Sequence, residues 1–410
     1  MKLGLPKEII NNDKRVALTP ANVSRLLKRP LEVLVETGAG IAAGFSDDDY
    51  TKAGATIIND RQQLLKQADI ITLVNGKGTQ LEELKANTHD NQLIIAMLDP
   101  RTNHQNLHQL ANSGMSTIAL ELIPRSTRAQ SMDVLSSMAT IAGYKAVILA
   151  ANHAPRLFPM MMTAAGTLKP CRAFVMGVGV AGLQACATAK RLGAVVEAYD
   201  IRPAAREQIL SVGAKPVELN IEAENTETSG GYAKEQSDDF IQRQQQAMAD
   251  VLSLQDVVIT TAAIPGKKAP VLITEAMVAG MKAGSVIVDL AAETGGNCEL
   301  TRLGEVVVHN GVTILGPDNI ASTAANHASQ MYGTNVENLL KLLLDDEGNL
   351  VLDLEDDIIR DTLVTHKGEL VNPLLRELAG LPSQTIESTA DESESKDAAV
   401  KTDSLTAKEA

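Results

Sequence analysis

The chain has 410 residues, 44% of them hydrophobic, with five Tyr, four Phe, no Trp and a formal net charge of −14. The length allows two or three domains, and the acidic balance argues against general nucleic-acid binding and against adsorption to an anionic membrane, since both need a basic patch. With so few aromatics the core must be aliphatic, which suits parallel strands buried between helices.

MKLGLPKEII, at the start, lacks the apolar segment of a signal peptide. No uninterrupted apolar run reaches the roughly 18–20 residues that span a bilayer. Cys171, Cys186 and Cys298 form no CxxC pair. The expectation is a soluble chain with reduced thiols in a cytosol-like compartment.

Over residues 1–123 short apolar runs alternate with helical periodicity. KLGLP, LEVLVE, ATIIN, DIITLV, QLIIAML and STIALEL predict strands. TPANVSRLLKR, LEELKAN and HQNLHQLANSG predict helices, the first with Thr19 as N-cap and Pro20 at its first position. The alternation is that of βα units. Inside it, LEVLVETGAGIAAG sets Gly38-x-Gly40-x-x-Ala43 after a strand, but GFSDDDY follows in place of a helix. Three aspartates repel a pyrophosphate, so this stretch reads as a turn. His104 and His108 have no acidic residue between them and no evident third ligand; they read as surface residues, and no metal is expected.

PRSTRAQSMDVLSS, residues 124–137, crowds polar side chains between two apolar segments. A long helix entered at about Ser131 places Asp133, Ser136, Ser137 and Thr140 on one face, with Leu135, Met138, Ala139 and Ala142 opposite. Two readings stay open on the residues alone. One is a solvated face with a capping box, Thr127-x-x-Gln130; the other is a wall of donors and acceptors facing a polar ligand.

Residues 171–317 supply six further strands, CRAFVMGV, VVEAYD, KPVEL, DVVITTAAI, SVIVDLAA and GVTILGP. AGLQACATAKRLG, PAAREQILSVG and ITEAMVAGMKAG lie between them as helices, making a second doubly wound unit. Its first turn carries Gly177-x-Gly179-x-x-Gly182 between a strand and an Ala-rich helix, and the next strand ends in Asp200. Gly177 permits the tight turn, Gly179 a close approach of backbone to pyrophosphate, and Gly182 close helix–strand packing; the helix N-terminus favours the anion. Asp200 suits a ribose hydroxyl and repels a 2′-phosphate, favouring NAD(H), although Arg202 and Arg206 lie nearby. Residues 220–240 read as a long surface loop, and Cys298 in GGNCE as a packed thiol. After 326, HASQMYGTNVENLLKLLL is helical, LVLDL and TLVTHKGELV form a hairpin-like appendage, and 381–410 is a disordered tail.

Together these motifs resemble the NAD(H)-binding alpha component (domain I) of proton-translocating NAD(P) transhydrogenase. RAQSMD, AGYKAV, GVGVAGLQA, YDIRPAAREQ, GGYAKEQSDDF, IPGKKAP, AAETGGNCE and SQMYGTNVENLLKLL carry the resemblance in family order over about residues 1–380. The relationship extends to alanine dehydrogenases, which share a PKE…RVALTP start. There Arg15 matches a carboxylate-holding residue, but Asn75 stands where the relative has its lysine, with Lys77 two residues away, and Leu98 and Asp99 where it has its histidine. An acid/base pair is thus missing for a 2-oxo-acid enzyme.

The resemblance implies an α/β fold of two Rossmann-like doubly wound domains with a cleft between them, residues 1–125 with 326–380 forming one and 126–325 the NAD(H)-binding other. It implies direct hydride transfer between NADH bound here and NADP⁺ on a partner subunit, coupled to proton movement through a separate membrane-spanning subunit. Arg125, Gln130, Asp133 and Ser136 then hold the nicotinamide carboxamide and neighbouring ribose, with Ser126, Thr127 and Arg128 beside them. Gly177, Gly179, Val180, Gly182, Asp200, Ile201 and Arg202 take the pyrophosphate and adenosine. A mobile loop closes with Gly231 and Tyr232, and Ala262, Ala263, Ile264 and Pro265 line the strand edge. A homodimer, cytoplasmic and peripheral on the inner membrane through its partners, completes the expectation. An amino-acid dehydrogenase and a non-catalytic NAD(H)-binding subunit are the competing readings.

Overall fold

The computed structural model describes residues 1–382 except 11–12, 88, 90–91, 104–106, 108–110, 113 and 220–237. Its strands, in chain order, are β1 (Lys2–Leu5), β2 (Glu32–Glu36), β3 (Thr56–Ile58), β4 (Ile70–Asn75), β5 (Leu93–Met97), β6 (Ser116–Ala119), β7 (Met161–Thr163), β8 (Gly166–Leu168) and β9 (Arg172–Met176). They continue with β10 (Val195–Tyr199), β11 (Lys215–Pro216), β12 (Val257–Thr260), β13 (Val286–Asp289), β14 (Val306–His309), β15 (Val312–Leu315), β16 (Leu363–His366) and β17 (Glu369–Leu370).

The first sheet runs β17-β16-β6-β5-β4-β1-β2-β3 and the second β11-β10-β9-β12-β13-β15-β14. Each contains six parallel strands in the doubly wound order 3-2-1-4-5-6, with antiparallel strands added at one edge. Alternate residues of a strand feed opposite faces: Val33 and Val35 enter one core, Leu34 another; Val257 and Ile259 enter one, Val258 another. Covered on both faces, β4, β12 and β13 are buried along their whole length.

Two helices join the halves. Val134–His153 places Val134 and Met138 in the first sheet's core and Ala146, Val147 and Ala150 in the second's. It is the one described helix long and apolar enough to cross a membrane, and here it packs between cores. Ala325–Leu343 returns the chain, burying Ala328, Tyr332, Val336 and Leu340 in the first core.

Several elements depart from expectation. STIALEL ends its strand at Ala119 and turns into a 3-10 helix, and LVLDL forms no strand. The C-terminal hairpin is no appendage, because β16 pairs with β6 inside the first sheet. The second sheet has seven strands, since GEVVVHNG forms the antiparallel edge β14, and MMTAAGTL forms an exposed hairpin, β7–β8. Asp238–Ser253 is a helix that takes up 238–240 of the predicted loop; 220–237 lies outside the described residues, as do most of HQNLHQLANSG, including His104 and His108, and 383–410 of the tail. A helix does follow GAGIAAG, since Asp47–Lys52 begins with the three aspartates at its positively polarised end, capped by Ser46.

Candidate functional site

The glycine loop sits where β9 and β12 diverge, the switch point of the second sheet. Gly177 has φ +86°, a left-handed conformation that a side chain strains. A Cβ on Gly182 would stand 1.9 Å from the Gly177 carbonyl oxygen, so that position admits no side chain without displacing the turn. A Cβ on Gly179 would meet nothing within 4 Å. The loop is tight where the turn needs tightness and open where a pyrophosphate would approach, and the helix Val180–Arg191 starts there with unsatisfied N–H groups. The residues fit a dinucleotide.

The second glycine stretch contrasts with it. The Gly38 N–H donates to Asp47 at 2.8 Å, and the Thr37 hydroxyl to the same carboxylate at 2.7 Å, so the chain's own anion fills that turn.

Asp200 closes the adenosine end. Its carboxylate accepts from the Val178 N–H at 2.6 Å and is gripped by Arg202 through Nε at 2.9 Å and Nη2 at 3.0 Å. Arg206 pairs with Glu218. Both arginines near the ribose position therefore already hold carboxylates. Ile201 is half-buried beside them.

From β12 the chain continues into Thr261 and the segment Ala262–Pro265. Thr261 donates its hydroxyl to the Gly177 carbonyl at 2.8 Å, linking the two strand ends at the switch point. Ala262 is held by Asn297, whose Oδ1 accepts from its N–H at 3.0 Å and whose Nδ2 donates to its carbonyl at 2.8 Å. Asn297 in turn hangs from the buried Asp289, which also receives the Cys298 N–H and the Thr260 and Thr301 hydroxyls. Sequence reading missed Thr261, Asn297 and Asp289. The signal was the GGNCE motif, read only for its cysteine. Cys298 is indeed buried, and burial pushes its thiol up to about 11. Ala263 and Pro265 are exposed and Ile264 half-buried. A Cβ on the neighbouring Gly266 would meet Arg101 Cδ at 2.9 Å, so the loop after β5 reaches across to the loop after β12.

The polar stripe is built differently from the predicted one. Gln130–Met132 is a 3-10 turn, and the helix starts at Val134 with Asp133 as N-cap. Asp133 accepts the Ser136 N–H at 2.9 Å and the Ser136 hydroxyl at 2.5 Å. No Thr127–Gln130 capping box forms; Ser126 Oγ accepts the Ala129 N–H instead, and Leu135 is exposed rather than packed. Arg125, Thr127 and Gln130 are exposed. Arg128 is taken by Asp356 and Asp357, at 2.5 Å for the first contact with Asp356. Gly143 ties this helix to the phosphate loop: a Cβ there would stand 2.1 Å from the carbonyl oxygen of Ala181, in the first turn after Gly179. The stripe and the glycine loop are thus parts of one packed unit. Gly231 and Tyr232 lie outside the described residues.

The switch point of the first sheet, between β1 and β4, is filled by the chain's own groups. Arg15 is buried and bound twice by Asp13, at 2.9 and 2.6 Å. Glu8 accepts the Val74 N–H at 2.7 Å and the Gln80 amide at 3.2 Å. Burial, reinforced by Asp13, pushes its carboxyl up to about 8. Asp99 takes φ +49° and holds the Thr102 hydroxyl.

A six-strand parallel sheet in this order, carrying a fitted glycine loop and an acidic strand end at its switch point, defines a dinucleotide-binding α/β protein of the dehydrogenase type. The chain belongs to the alanine dehydrogenase/PNT family, with the N-terminal domain of that family matched over residues 4–142 and the C-terminal domain over 146–373, and its close relatives are NAD(P) transhydrogenase alpha subunits. It is 48% identical over 379 residues to the first portion of the NAD(P) transhydrogenase alpha subunit of Rhodospirillum rubrum, covering 92% of this chain and 99% of that one. The solved transhydrogenase structure from Sinorhizobium meliloti matches at 42% identity and a TM-score of 0.81, over 90% of this chain and 100% of that chain. An L-alanine dehydrogenase structure matches at 25% identity and a TM-score of 0.74, over 93% and 99%. The family resemblance and the two-domain α/β fold read from the sequence hold, and the family binds nicotinamide nucleotides.

Proposed function

We propose that this chain holds NAD(H) and presents it for direct hydride exchange with NADP(H) held on a partner subunit, the exchange being coupled to proton movement through a membrane-spanning subunit. The nucleotide-binding domain is 126–325, and the other domain is 1–125 with 326–380. The observation that carries this reading is the packing of the polar stripe onto the glycine loop at Gly143 and Ala181. It supports one continuous site, pyrophosphate at one end and nicotinamide at the other.

Bound NADH supplies the hydride. The protein's role is position and electrostatics. Gly177, Gly179, Val180 and Gly182 hold the pyrophosphate. Asp200, with Ile201 and Arg202 alongside, takes the adenosine ribose; the pairing of Arg202 and Arg206 with carboxylates favours NAD(H) over NADP(H). Ala262, Ala263, Ile264 and Pro265 wall the strand edge. Arg125, Gln130, Asp133 and Ser136 orient the nicotinamide, with Ser126, Thr127 and Arg128 beside them, and Tyr232 with Gly231 covers the bound nucleotide. Asp133 caps its helix and orients Ser136, so it acts as a fixed acceptor rather than as a proton shuttle.

The chain works as a homodimer, docked at the inner membrane from the cytoplasmic side through its partners. Support for the dimer is the β7–β8 arm, where Leu157, Met160, Met161, Met162 and Leu168 are exposed together. The amino-acid dehydrogenase alternative is disfavoured by Asn75 and Asp99 at the positions of its lysine and histidine, and by the closure of Asp13 on Arg15.

Mixing the chain with an NADP-binding transhydrogenase domain tests the proposal. Hydride transfer from NADH to an NADP⁺ analogue of distinct absorbance is expected only when both proteins are present. Alanine-dependent reduction of NAD⁺ by this chain alone would overturn it.

A further inference from the structure

We infer that Asn335 is a positioning residue for hydride transfer, acting through Ser131 and Ser137 to fix the turn that carries Gln130, Asp133 and Ser136; this rests on the functional reading above. The motif TNVENLL lies on Ala325–Leu343, a helix of the first core. Its asparagine is only 6% exposed, so its amide must find partners inside the fold. Nδ2 donates to the Ser131 carbonyl at 2.8 Å, and Oδ1 accepts from the Ser137 hydroxyl at 2.7 Å. Asn338, three residues on and on the same helical face, adds a 3.2 Å bond to the Ser131 carbonyl.

The two anchor points bracket the stripe. Ser131 follows Gln130, Ser137 follows Ser136, and Asp133 lies between. One side chain on a helix of the first domain thus pins both ends of the segment assigned to the nicotinamide. The rest of the site, from the glycine loop to the β12 edge, is held by other groups. Loss of the Asn335 bonds should leave pyrophosphate and adenosine contacts in place and let the nicotinamide wall drift. Rate then suffers more than affinity, because misplacement by about 1 Å costs up to roughly 100-fold.

Three variants separate positioning from bulk stability. Asn335→Leu keeps the volume and removes both bonds. Asn335→Asp keeps the acceptor for Ser137 but donates to the Ser131 carbonyl only when protonated. Ser137→Ala removes one bond without touching the returning helix. Each full-length variant is mixed with the NADP-binding domain, and single-turnover transfer, NADH affinity and thermal midpoint are measured beside wild type. The expected result is a roughly 10- to 100-fold slower transfer for Asn335→Leu with NADH affinity within about threefold. Ser137→Ala, which needs no rebuilt core, should show a smaller fall in the same direction. Asn335→Asp should approach the wild-type rate at low pH and lose it as its carboxyl ionises. Wild-type transfer rates in folded variants would overturn the inference, as would parallel loss of affinity and rate, which marks a structural role. Absence of transfer in wild type with a competent partner would instead overturn the functional reading, and this inference with it.

Discussion

The Asp200 carboxylate accepts four hydrogen bonds, one from the glycine loop at Val178 and three from Arg202. It therefore shapes the loop as well as facing the ribose position. Asp200→Ala should weaken NADH binding by about tenfold or more, the scale of a hydrogen bond to a charged group, and strengthen NADPH binding by releasing Arg202. Fluorescence titration of both nucleotides checks this, and unchanged affinities would remove Asp200 from the site. That an aspartate would end β10 was visible in YDIRP; that its neighbouring arginine would close on it was not, because an ion pair between near neighbours depends on side-chain direction, which spacing does not encode. Glu8 gives a test by pH. Its carboxyl is held near 8 against an ordinary 4.5, so between these values the folded form keeps a proton that the unfolded chain has released. The stability tied to that proton is complete below about 4.5 and lost as pH rises through about 8. Glu8→Gln should reduce the fall in thermal midpoint between about pH 6 and 9 by roughly 2 °C or more. An identical fall in both proteins would place the titration elsewhere.

Among the elements, the joint between Val134–His153 and Val180–Arg191 organises the site. Gly143 and Gly182 are both glycines of contact, whereas Gly179 is a glycine of open space. The three positions make distinct predictions. Gly143→Ala and Gly182→Ala should lower stability by about 1–3 kcal/mol through overpacking and weaken NADH binding. Gly179→Ala should leave the thermal midpoint unchanged and still weaken NADH binding, because its Cβ occupies the space left for the pyrophosphate. A stable Gly179→Ala protein with full affinity would show that the nucleotide lies elsewhere. Hydrophobic periodicity disclosed the six parallel strands of each sheet and the helices between most of them. It missed Asp47–Lys52 because three aspartates look like a loop until they are seen at a helix N-terminus, where their charge is stabilising. It missed β14 because an edge strand whose Val306 and Val308 face solvent lacks the buried run that marked its neighbours. The helix start moved from about Ser131 to Val134 because Asp133, not Thr127, satisfies the free N–H groups.

For the whole molecule, two sheets of the same order meet with their carboxyl edges in reach of each other, as the contact of Arg101 with Gly266 records. One switch point is closed by Arg15, Asp13 and Glu8, the other left open around Gly179. That asymmetry assigns nucleotide binding to the second sheet, and the two glycine motifs differ in the same way. At this scale the β7–β8 arm predicts association: the wild-type chain should sediment as a dimer, and the pair Met160→Glu and Met162→Glu as a monomer. Unchanged sedimentation would place the dimer contact elsewhere. The central claim, direct hydride transfer with the protein supplying position alone, is tested by isotope. NADH carrying deuterium on the transferred C4 position is reacted in ordinary water with an NADP⁺ analogue, in the presence of this chain and its NADP-binding partner. The account predicts that the deuterium appears in the reduced analogue without dilution. Solvent hydrogen in that product would contradict it, since an exchangeable protein group would then stand between the two nucleotides.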